Sequence, residues 1–100
     1  MSACRILVAD DNDTFAGSLA EGLRLEPDFD IVGVAHNGEE AVRLVRETMP
    51  DIVLIDLEMP VMDGIEAIAT IKREAPSVEA LVLTMHSDNA HLFEAFKAVL

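Results

Sequence analysis

Asp10 and Asp11 follow directly on the apolar run Arg5 to Ala9, Asp56 follows Asp51 to Ile55, and Thr84 follows Ala80 to Leu83. Three acids and a hydroxyl that each close an apolar run are placed to meet at one end of a sheet. Packing carboxylates together is costly, because two like charges about 4 Å apart repel by about 4 kcal/mol at an effective dielectric near 20. A fold tolerates this when a cation relieves it or when the carboxylates share protons. All-oxygen ligands with room for water suit Mg²⁺, with Mn²⁺ as a substitute. Phosphoryl chemistry on a carboxylate needs the same kind of metal, to neutralise charge on the transferred oxygens. Asp13 and Asp63 read differently, as solvated loop residues or helix caps.

The elements that must position these residues are legible in the hydrophobic pattern. Arg5 to Ala9, Ile31 to Ala35, Asp51 to Ile55 and Ala80 to Leu83 are short, nearly unbroken runs rich in Val, Ile and Leu. Such runs suit strands covered on both faces, as in a parallel sheet. Between them lie helical stripes: Phe15, Leu19 and Leu23; Ala41 with Leu44 or Val45; Ile65, Ile68 and Ile71; then Leu92 and Phe96. Asn37 with Glu40, and Asp63 with Glu66, fit capping boxes. Pro50 and Pro76 stand where proline stops a helix, while Gly17 and Gly22 weaken the first one. The order β-α-β-α-β-α-β-α predicts a doubly wound α/β sheet. In such a sheet, ligands bind at the carboxyl ends of the strands, where the acids lie.

Composition excludes several classes. The 100 residues are 51% hydrophobic, so this is no disordered acidic tail, and charges interrupt every apolar run well short of a membrane span. Seven Lys+Arg against nineteen Asp+Glu leave a net charge of -12, the wrong sign for a nucleic-acid surface. The single cysteine, Cys4, excludes an internal disulfide and reads as a small buried hydrophobe of the first strand. The first residues lack the features of a signal peptide, and a cytoplasmic domain is expected. His36, His86 and His91 have no zinc-motif spacing and read as surface or strand-edge residues.

Three segments, Ile6-Leu7-Val8-Ala9-Asp10-Asp11, Asp56-Leu57-Glu58-Met59-Pro60-Val61-Met62-Asp63-Gly64 and Leu81-Val82-Leu83-Thr84-Met85-His86, together resemble a bacterial two-component response-regulator receiver domain. Thr84-Met85-His86 is most similar to the NarL/LuxR subgroup. The resemblance implies a flavodoxin-like sheet of order 2-1-3-4-5. It implies that Asp56 is the phosphoacceptor, a carboxylate nucleophile forming an acyl phosphate. It further implies that Asp11 is a direct Mg²⁺ ligand, Asp10 one acting mostly through water, Glu58 a ligand through its backbone carbonyl, and Thr84 the switch hydroxyl. The implied partner is a sensor histidine kinase. Met59-Pro60 and Gly64 shape the loop after Asp56.

The family continues with a fifth strand, carrying a lysine that meets the phosphoryl group, and a fifth helix. Residues 1–100 are therefore expected to form a receiver domain incomplete at its C-terminal side, with order 2-1-3-4. Self-association through that side and weak phosphorylation follow as expectations. A DNA-binding output domain is inferred only for a longer parent. The main alternative is a phosphorylation-independent interaction module. An aspartate-nucleophile phosphatase fits poorly, since Glu58 replaces the second Asp of its paired-acid motif. A flavin carrier also fits poorly, because the chain has no Trp or Tyr to stack on the ring.

Overall fold

The computed structural model describes residues 3–57, 59 and 61–83. Four strands, β1 (Cys4–Ala9), β2 (Phe29–Ala35), β3 (Ile52–Asp56) and β4 (Glu79–Leu83), alternate with three helices, α1 (Asp13–Arg24), α2 (Gly38–Thr48) and α3 (Gly64–Glu74). All neighbouring strands are parallel, in the order β2-β1-β3-β4. The doubly wound sheet is as expected. The helix expected around Leu92 and Phe96, and His86 and His91, lie outside the described residues.

Alternation along β1 divides the interior. Ile6 and Val8 join Phe15, Leu19 and Leu23 of α1 on one face, with Ile52, Leu54 and Leu83. Leu7 and Ala9 join Ala41, Val42 and Val45 of α2 and Ala67 and Ile71 of α3 on the other, with Val53 and Ile55. Burying a side chain of Leu or Ile size is worth roughly 1.5–3 kcal/mol, which is why β1 and β3, covered on both sides, carry almost no polar residue.

The α3 stripe departs from the sequence expectation. Ile71 is buried, but Ile65 is 66% exposed and Ala67 takes the inward place. Gly64, Ala67 and Ile71 follow the helical repeat of one face, and Ile65 is turned about 100° away from it. The strand limits also differ slightly: β2 starts at Phe29, and one extra residue, Val32, is accommodated where its register with β1 shifts.

The helix ends follow their caps. Asn37 Oδ1 accepts from the Glu40 N–H at 2.8 Å, and Asp63 Oδ1 from the Glu66 N–H at 2.9 Å. The return arm of the first box is displaced, since Glu40 Oε1 accepts from the His36 N–H at 3.2 Å. Gly17 and Gly22 do not end α1, which continues to Arg24. At the other end of the sheet, the Arg5 guanidinium donates to the carbonyls of Thr48 and Met49 and so satisfies the last turn of α2. Among the described residues, no helix is long and apolar enough to cross a membrane.

Candidate acidic metal centre

Strand register assembles the site. Ala9 of β1 pairs with Ile55 of β3, so the next residue of each strand, Asp10 and Asp56, emerges at the same level on adjacent strands. The Asp10 N–H donates to Ala35 O at 3.0 Å, which extends the β1–β2 ladder by one residue and fixes the backbone there. Asp10 Oδ1 accepts from the Asn12 N–H at 2.8 Å, and Asn12 in turn caps α1 by accepting from the Phe15 N–H at 3.0 Å. One short turn therefore orients the acid and starts the helix.

Carboxylate oxygens of Asp10, Asp11 and Asp56 lie within 4.8 Å of one another. Asp10 is wholly buried and Asp56 nearly so, while Asp11 is exposed. Two buried acids with a third on the solvent side place the cluster across the boundary between the interior and water. The donor set is all carboxylate oxygen, which fits a hard divalent cation such as Mg²⁺ that keeps part of its hydration shell. The amino end of α1, with its partial positive charge, opens beside Asp10 and Asp11 and offsets some of the repulsion.

The loop after Asp56 is shaped by a close approach at Gly64. Its N–H donates to Leu57 O at 2.8 Å, and a Cβ there would run into Asp56 O and lie 2.5 Å from Leu57 Cα. The expected role of Gly64 in the start of α3 thus has a steric cause.

Of the remaining sequence candidates, Asp63 is the cap of α3, and Asp13 is the exposed first residue of α1. Glu58 and Thr84 lie outside the described residues. Sequence reasoning missed one cluster beside the site. His36, exposed after β2, places Nε2 3.3 Å from Asp13 Oδ1 and Nδ1 3.0 Å from Glu40 Oε1, bracing the first turns of α1 and α2. The i, i+4 spacing of His36 and Glu40 was visible in the sequence, but the proximity of Asp13 is created only by the packing of β2 beside β1. Cys4 is half-buried rather than buried.

Comparison with known proteins gives a consistent answer. The response regulator receiver domain family matches residues 6–99. The chain is 40% identical over 94 residues to the uncharacterized transcriptional regulatory protein YhcZ of Bacillus subtilis, covering 94% of this chain and 44% of that protein. It is 40% identical over 93 residues to the transcriptional regulatory protein LnrK of the same organism, covering 93% of this chain and 42% of that protein. The chain thus spans less than half the length of these relatives. Among solved structures, the signal receiver domain of the putative response regulator NarL from Mycobacterium tuberculosis superposes with a TM-score of 0.81 at 28% identity, over 97% of this chain and 78% of that one. A LuxR-family two-component response regulator from Aurantimonas gives a TM-score of 0.78 at 36% identity, over 97% and 69%. With the sheet order, the acid trio and the match along nearly all of its length in agreement, the chain belongs to the response regulator receiver domain family.

Proposed function

We propose that this chain accepts a phosphoryl group on Asp56 from a phosphohistidine of a sensor histidine kinase. The observation that supports the reading is the convergence of the Asp10, Asp11 and Asp56 carboxylates within 4.8 Å at the carboxyl ends of β1 and β3. An Asp56 oxygen attacks phosphorus, the P–N bond to the donor imidazole breaks, and the imidazole leaves as a neutral ring keeping the proton on its other nitrogen. Asp56 is left as an acyl phosphate. Asp11 would hold Mg²⁺ directly and Asp10 mainly through water, with Asp56 and the Glu58 backbone carbonyl as the further protein ligands. When bound, Mg²⁺ would supply neutralisation of charge on the transferred oxygens. Thr84, by its position in the family motif, supplies a hydroxyl to the phosphoryl group.

In this reading the domain assists its own modification and is not a turnover enzyme. Transcriptional output is carried elsewhere in a longer cytoplasmic protein, and this acidic domain makes no nucleic-acid contact of its own. Self-association engages the β4 side, where Val82 is 38% exposed; light scattering that shows a strict monomer at all concentrations would remove that part.

Incubation with acetyl phosphate or phosphoramidate and Mg²⁺ tests the main claim. The expected product carries one hydroxylamine-labile phosphoryl group, absent in Asp56→Asn. Labelling that persists in that variant would move the nucleophile elsewhere. Beryllofluoride binding that requires Mg²⁺ separates this function from a phosphorylation-independent interaction module.

A further inference from the structure

Val61 has φ 70°, in the left-handed region that β-branched residues rarely occupy. Its side chain is 75% exposed, so packing of that side chain does not offset the strain. The restraint comes from its neighbours. Met59 is buried and Met62 half-buried against the same α2–α3 cluster, so Val61 lies between two anchored residues. Met62 O then accepts from the Gly38 N–H, the first residue of α2, at 2.9 Å. That contact depends on glycine, because a Cβ at position 38 would run into Met62 O and lie 2.7 Å from Met62 C.

We propose that the segment of residues 61–63 ahead of α3 is a latch: the Gly38–Met62 hydrogen bond holds the strained Val61 closed, and its local opening frees that segment together with the first turn of α2. The first N–H groups of a helix have no partner within the helix. Breaking the Gly38–Met62 bond therefore costs α2 none of its own hydrogen bonds, and water can take up both groups. Release of the left-handed turn favours opening by roughly five- to thirty-fold in the equilibrium. The latch couples two elements on the face that carries the acids. It stands or falls independently of the phosphoacceptor assignment.

Native-state amide exchange on the full chain, without metal or phosphodonor, is the test. The Gly38 amide is expected to exchange much faster than that of Ile55 in the sheet, through an opening that does not respond to low urea. Val61→Asn, which accepts the left-handed conformation without the added chain freedom of glycine, should slow Gly38 exchange about five-fold or more and raise the melting temperature. Val61→Gly serves as a second relief of the same strain. Gly38 exchanging in step with Ile55, or unslowed in the Asn variant, would overturn the latch.

Discussion

Arg46 of α2 and Glu74 of α3 face each other in a two-pronged pair, Nε to Oε1 at 2.7 Å and Nη2 to Oε2 at 2.8 Å. The hydrogen bond from Arg46 is the main cause that holds the Glu74 carboxyl below its ordinary range, with the charges of Arg46 and Arg73 adding to it against a partial desolvation. A carboxylate depressed in the folded state contributes stability above its unfolded pKa and loses it as pH falls through the folded value. Glu74→Gln should therefore flatten part of the decline in melting temperature on acidification below about pH 4.5. At neutral pH the change should be small, because both side chains are solvent-exposed. Thermal melts of the two proteins across that range give the answer, and parallel curves would mean the pair carries no stability.

Mutual repulsion at the acid trio predicts a stability cost that the metal removes. Mg²⁺ should raise the melting temperature of the native sequence. Asp11→Asn should stabilise the metal-free protein by about 1 kcal/mol, which raises its melting temperature by roughly 4–8 °C for a domain of this size, after allowing for solvent screening at the exposed acid. The same variant should lose most of the Mg²⁺ response. Calorimetric scans with and without the cation check both arms. An identical melting temperature from zero to excess Mg²⁺ would count against the site.

Gly64→Ala should disturb the loop after Asp56 directly, because the added methyl meets the Asp56 carbonyl. Overpacking of this kind costs about 1–3 kcal/mol. A lowered urea midpoint is expected, together with weaker Mg²⁺ stabilisation, since Asp56 must move for the loop to relax. Native stability with a normal Mg²⁺ response would show that the start of α3 can shift without consequence.

Burial, and secondarily the charge of Asp51, pushes the Cys4 thiol above its ordinary pKa. Less thiolate is then present near neutral pH, and alkylation by iodoacetamide should be slow until the solution is clearly alkaline. Asp51→Asn removes the charge but keeps an oxygen for the Arg5 N–H that Asp51 Oδ2 now accepts at 2.9 Å. That variant should react modestly faster at the same pH. Mass spectrometry of a timed alkylation series measures it, and a rate equal to that of a free peptide thiol would refute the shift.

The strands were readable because β1 and β3 are covered on both faces, which forces continuous apolar runs that need no partner to be seen. The acids at their ends were readable for the same reason, as abrupt breaks in those runs. Helix faces were harder. Ile65 looked like core because its type outweighed its phase, while the small Ala67 fills the inward position. Features made by tertiary approach left no local signal: Asp13 against His36, Gly38 against Met62, and the reach of Arg5 to the end of α2 each join elements distant in the chain. The left-handed Val61 was equally hidden, since its residue type argues against that conformation.

Ile6 and Leu7 are chain neighbours, yet they belong to different interiors, one under α1 and one under α2 and α3. Val8 and Leu54, far apart in sequence, are register partners on adjacent strands and share the α1 side. Truncations at Leu7 and Leu54 should accordingly sum nearly to their separate costs, whereas Val8 and Leu54 should show a coupling on the order of 0.5 kcal/mol or more. A backbone sheet thus works as a partition: the α1 layer can be recomposed without renegotiating the α2–α3 layer, so the two sides of the domain are free to diverge at different rates.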